Sequence, residues 1–234
     1  MLAIAGISSL AFRPKSRLPP IRPGLEFFPA GTPIQSAPPT WFERRVPLSW
    51  AWLWRLHDWW RGPVPSVLID TRIIDCSRMP ENAISALFPG PAIAQTNGLG
   101  AWILDSNVVS QLKQAIEAKG GQPLEATRVQ TSHGILSSLS VGNSGIPGSP
   151  AVSLTLLPLV RPDGLDLRSA LTLIESAAGD PTAVGAPALA SLTNLNVSVR
   201  WQLPDGTGFI LLSPPYSKSR WRIVVVGSAV VTRP

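Results

Sequence analysis

The chain has 234 residues, 44% of them apolar and only 15% charged, which is enough to bury a sizeable core and is weighted toward a β-rich or membrane-associated interior. A single cysteine excludes an internal disulfide, and one cysteine with two histidines argues against a structural zinc site. The net charge of +6 sits at one end, since residues 1–62 carry eight Lys or Arg against three acids and residues 63–234 carry twelve against eleven.

In chain order, residues 1–12 (MLAIAGISSLAF) form an apolar run with no preceding basic residue and no small-residue cleavage pattern before Arg13, so they are not read as a secretory signal. Nine prolines between Pro14 and Pro47 remove backbone donors and favour extended chain, which predicts a basic, irregular extension over residues 1–47. Such a tail is expected to be a solvated linker, with attraction to anionic lipid or nucleic acid as the alternative.

Residues 48–62 follow, with Trp50, Trp52, Trp54, Trp59 and Trp60 within eleven positions. On a helical wheel Trp52, Leu53, Leu56, Trp59 and Trp60 share one face and Arg55, Asp58 and Arg61 lie opposite; Gly62-Pro63 ends the helix. This face is expected to cover the domain's own sheet or a neighbouring subunit, with membrane-surface docking as the alternative reading. The helix is too short to span a bilayer, which needs ~20 residues, and no later run of 18 apolar residues occurs, so any membrane attachment is expected to be peripheral.

Residues 63–234 read as one β-rich domain. Cys76, within VLIDTRIIDCS (residues 67–77), is expected to be a small buried side chain. Asp105 or Ser106 can cap a helix in which Val109, Leu112 and Ile116 recur at helical spacing, and Gly120-Gly121 supplies its stop. Residues 124–131 then alternate, and Ser132-His133-Gly134 offers a reversal into residues 135–141, which predicts a β-hairpin. Val152, Leu154 and Leu156 alternate with Ser153 and Thr155, and Leu195, Val197, Val199, Trp201 and Leu203 alternate with polar residues, as in strands with one buried face. The continuous apolar run 223–226 suits a central strand covered on both sides. Residues 142–150 and 178–190 lack periodicity and are expected to be loops. The fold class is therefore α+β: a mixed, mostly antiparallel sheet with one or two short helices.

The order of a helix ending in Gly-Gly, a PLEATRVQT strand, a Ser-His-Gly turn and a strand closing on Val-Gly resembles the C-terminal domain of bacterial secretins, the outer-membrane ring channels of type II and type III secretion and type IV pili. VLIDTRIIDCS resembles that domain's opening strand, VSLTLLPLVRPDGLDLRSALTLIES (residues 152–176) its next strand pair, and LNVSVRWQLPDGTGFILL with RIVVVGSAVV its closing strands, joined through Asp205-Gly206. The likeness spans roughly residues 66–232 as pattern more than identity. Channel-forming members carry Val-Pro, Leu-Gly-Asp-Ile-Pro and Leu-Gly after the Asp-Gly turn, where this chain has the polar, basic SPPYSKSR (residues 213–220), so an outer-membrane pore is not expected.

No catalytic site is expected. Asp70-Thr71 has Arg72 where an aspartic protease has glycine, and Ser132-His133 are turn neighbours without a third orienting group. No glycine-rich phosphate loop follows a strand, and no cofactor, metal or small-molecule substrate is expected. What the resemblance implies is a non-catalytic scaffold or assembly protein of the cell envelope, peripheral or periplasmic, forming homo-oligomers or joining secretion or pilus components. The alternative is a nucleic-acid or anionic-surface binder using the basic tail and a patch of Lys218, Arg220 and Arg222.

Overall fold

The computed structural model describes residues 21–29, 32–35, 45–47, 49–53, 55–56, 64–88, 90–96, 98–142, 150–176, 191–214 and 221–233. Period-two patterning dominates these residues, and it folds into two antiparallel sheets packed face to face. The first has five strands in the order β1 (Gly24–Phe28), β9 (Ser191–Pro204), β8 (Gly164–Ser176), β7 (Pro150–Arg161) and β6 (Ser137–Val141). The second has six, in the order β3 (Ala94–Thr96), β4 (Leu99–Asp105), β10 (Thr207–Leu212), β11 (Ile223–Thr232), β2 (Ser66–Asp75) and β5 (Gln122–Ser132). Two helices, α1 (Glu81–Ser85) and α2 (Ser106–Ala118), lie in chain order between the strands of this second sheet.

The alternating residues explain the layering. Leu154, Leu156, Leu167, Leu171, Val199, Trp201 and Leu203 from the five-stranded sheet meet Val67, Ile69, Ile73, Ala101, Phe209, Leu211, Ile223 and Val225 from the six-stranded one in a single buried cluster. The opposite face of the six-stranded sheet is also covered. Ile74, Trp102, Ile210, Leu212, Val224 and Val226 pack there with Ile84 of α1 and with Val109, Leu112 and Ile116 of α2. β11 therefore has an apolar run because both of its faces are buried, whereas the outer face of the five-stranded sheet presents Ser138, Ser140, Ser153 and Thr155.

Helix α2 starts and stops as its sequence predicts. The Asp105 carboxylate accepts the Asn107 N–H at 2.8 Å, one of the orphan donors of the first turn. At the other end Gly120 takes φ +101°, and the Gly120 and Gly121 N–H groups donate to the Glu117 and Ile116 carbonyls, a Schellman stop.

Three expectations are corrected. First, the α+β, mostly antiparallel arrangement with few short helices is as expected, but the strands are not one mixed sheet: every described pairing is antiparallel, and the pairings divide into two sheets. Second, residues 124–141 are not a hairpin. The Ser132 carbonyl does accept the Ile135 N–H at 3.1 Å and Gly134 has φ +76°, but β5 pairs with β2 while β6 pairs with β7. The turn carries the chain from one sheet to the other. Long-range bonds fix this crossing: the His133 N–H donates to Pro65, the Gly134 N–H to Pro158, and the Val160 N–H donates to His133 Nδ1 at 2.9 Å. Asp205-Gly206 likewise joins strands of different sheets, β9 and β10. Third, the Pro-rich extension is not wholly irregular, because β1 pairs with β9 from Gly24 opposite Gln202 to Phe28 opposite Ser198. Loop residues 143–149 and 178–190 lie outside the described residues.

Candidate functional site

The end of β2 sets up the most developed concavity among the described residues. Asp75 accepts from both the backbone N–H and the hydroxyl of Ser77, and Ser77 Oγ in turn accepts the Arg222 N–H at 2.8 Å. The Cys76 N–H donates to the Arg222 carbonyl at 2.7 Å, so the backbone of Arg222 is held on both sides just before β11 begins. Met79 then closes a turn on Cys76, and Pro80 leads into α1, whose first residue is Glu81.

Glu81 and Arg222 form an ion pair in which the two partners are solvated very differently, the Arg222 side chain being 11% exposed and that of Glu81 61%. Arg222 Nε is buried with no hydrogen-bond partner among the described residues. Loss of hydration pushes the Arg222 guanidinium below its usual range, opposed by the nearby Cys76 thiolate form. Burial, followed by the charge of Asp75, pushes the Cys76 thiol up to about 11, with Arg222 acting in the opposite sense.

Beside this pair, Trp102 projects from β4 on the helix-covered face and stacks on Phe88 with ring centroids 4.5 Å apart and 15° between planes. Its indole lies back along its own strand over Gly100, where a Cβ would stand 2.4 Å from the ring; only glycine permits that placement. The result is a cavity of about 350 Å³ lined by Arg222 and Glu81 at one end, by Phe88, Trp102 and Leu212, and by Gln95 and Ser85. Two further cavities, of about 60 and 70 Å³, are too small for more than a few waters. Two aromatic rings and Leu212 share this lining with Glu81, Ser85, Gln95 and a desolvated guanidinium, so a ligand would meet both apolar and polar groups there.

Arg222 faces this cavity and Glu81 instead of standing in a surface patch; Lys218 and Arg220 lie outside the described residues. In the Trp-rich segment residues 51–53 and 55–56 are helical, Trp52 is 66% and Leu56 52% exposed, and Leu53 is half-buried. Trp52 and Leu56 belong to neither buried cluster of the single chain, which does not bear on cover by a neighbouring subunit; Trp59 and Trp60 lie outside the described residues. Asp70 is engaged with Lys113 at 3.6 Å and Arg128 at 3.5 Å.

The chain matches no family model, no curated protein and no solved structure.

Glu81, Phe88, Gly100 and Trp102 escaped the sequence reading. Gly-x-Trp in a strand was the one signal available, because a bulky ring two positions from a glycine on the same strand face can fold over it. Among the described residues no helix is long and apolar enough to cross a membrane, a statement that leaves strands aside.

Proposed function

We propose that the chain is a non-catalytic assembly module of the cell envelope, a secretin-like β-domain that joins copies of itself or secretion or pilus components without forming the pore. The observation that carries this reading is the flank where β5 and β6 stand as the outermost strands of the two sheets, joined to each other by the Ser132-Gly134 crossing. Each is paired on one side only among the described residues, β5 over residues 122–132 and β6 over residues 137–141. Two adjacent open edges are a template for strand addition, and β5 is long. Its charge protection is partial, since Arg128 is drawn to Asp70 on the neighbouring strand. The exposed Trp52 and Leu56 give the module a second contact surface, suited to a partner or to the membrane interface. The absent gate signature at residues 213–220 supports assembly without a channel.

The test is the solution mass of the full chain by light scattering, with and without mild detergent, beside the Ala126→Lys/Gln130→Lys variant, which puts charge on exposed positions of the β5 edge. Expected is a discrete oligomer that the variant reduces to monomer while keeping its circular-dichroism spectrum. A monomer at every concentration, in both buffers, defeats self-assembly, and an oligomer unaffected by the variant removes β5 from the interface.

A further inference from the structure

We propose that the cavity between α1, β4 and the β10–β11 end is a binding site for a small aromatic carboxylate, with Glu81 occupying the carboxylate's place on Arg222 until the ligand arrives. This inference goes beyond the assembly reading and does not depend on it.

The two partners of the ion pair are buried unequally. Arg222 is anchored by its backbone to Ser77 and Cys76 and its side chain is 11% exposed, so its guanidinium has little water to turn to. Glu81 sits in the first turn of a one-turn helix with its side chain 61% exposed, and it loses little by rotating into water. An exchange is therefore cheap on one side only: an entering carboxylate can replace Glu81, whereas no entering cation can replace Arg222. A guanidinium at the lining adds a further reason, because it offers a planar fork of donors and a carboxylate can accept from two of them at once.

The rest of the cavity selects the body of the ligand. Phe88 and Trp102, stacked on one another, line the cavity together with Leu212, and Gly100 on the strand beneath leaves room for the indole under Phe88. Ring-against-ring contact in offset or edge-to-face geometry is favoured over contact with an aliphatic chain of equal area. About 350 Å³ accommodates a ring of this kind with a short acidic arm. Ser85 and Gln95 at the lining give hydroxyl and amide groups for a substituent on the ring.

Ligand-observed NMR titration of the full chain with phenylacetate, and with the isosteric neutral phenylacetamide, tests the proposal. Phenylacetate is expected to bind about tenfold or more tightly than the amide, as a charge-assisted bidentate contact requires. Glu81→Gln removes the competing carboxylate and is expected to tighten phenylacetate by about three- to tenfold while leaving the amide unchanged. Arg222→Met is expected to abolish the preference. If that variant does not fold, the Glu81→Gln result decides alone, because the substituted side chain is largely in water. No binding of phenylacetate, equal binding of acid and amide, or indifference to Glu81→Gln would each overturn the proposal.

Discussion

Trp201 donates its indole N–H to Ser169 Oγ at 2.8 Å across neighbouring strands, with the indole wholly enclosed between the two sheets. Ser169 is the polar interruption on the inward face of β8, between Leu167 and Leu171, and it is there because the largest side chain of the core carries a donor. Ser169→Ala is expected to leave that N–H unsatisfied and to cost about 1–3 kcal/mol. Trp201→Phe in the same background removes the orphan, so the double variant should lose less than the two singles together. Urea unfolding of the four proteins checks this.

Gly227 faces Phe209 directly across the β10–β11 pair, and a Cβ on it would stand 2.3 Å from the ring, which also packs on Trp201 at 5.0 Å. Gly227→Ala is expected to destabilise by about 1–3 kcal/mol through overpacking. Phe209→Leu should recover part of that loss when combined with it, and a cycle with no coupling would mean that the ring moves aside freely.

Arg200 holds Asp166 through two parallel bonds, Nε to Oδ1 at 3.0 Å and Nη2 to Oδ2 at 2.7 Å, and reaches Glu26 of β1 at 3.6 Å. Asp166 is nearly enclosed and Glu26 is not. Asp166→Ala should therefore cost roughly 2–4 kcal/mol, since it strands a partly buried guanidinium, and Glu26→Ala no more than about 1 kcal/mol. The hydrogen bonds that Arg200 donates to Asp166 raise the Arg200 pKa, so the guanidinium stays charged across the neutral range. Thermal melts of the two variants distinguish these sizes.

Cys76 is expected to make stability fall in alkali. Its thiol ionises near 9.0 when exposed and about 11 in the fold, chiefly because burial opposes the thiolate. The unfolded chain therefore releases a proton before the folded one does. Stability is intact below pH 9.0 and declines as pH rises toward 11, by roughly 2–3 kcal/mol. Cys76→Ala should flatten that part of the profile in denaturant titrations. The same burial predicts that a maleimide labels Cys76 at neutral pH only after unfolding.

How much of this was legible in the sequence depends on range. Strand β9 could be read face by face from Leu195 to Leu203, β11 was recognisable as a doubly covered strand, and Asp105 and Gly120 marked the ends of α2, because each of these signals lies within a few residues. The crossing at His133 was not legible. Its local geometry, a reversal with Gly134 at positive φ, is that of a hairpin; what sends the strands apart is bonding to Pro65, Pro158 and Val160, distant in the chain. β1 was hidden for a related reason, since five residues among prolines gain strand structure only by pairing with β9. At the site, Arg222 was visible as a basic residue but not as a buried one. Its burial is decided by Ser77, Cys76 and Glu81, and nothing near position 222 announces them.

The six-stranded sheet has a consequence for how the chain is made. Ile73 of β2 must find Val225 of β11, and β10 bonds to β4 on one side and to β11 on the other. β11 follows every other described strand in the chain, yet it stands between β10 and β2 near the middle of its sheet. While the polypeptide is emerging from the ribosome, β2 with β5 and β4 with β10 are two fragments that lack the strand uniting them, each with an apolar edge uncovered. Such a topology closes slowly, because its decisive contacts are the most distant ones. Until residues 223–232 have been synthesised, the nascent chain needs either a holding partner or a short wait, and a stop codon placed before Ile223 should yield aggregate instead of a smaller folded protein.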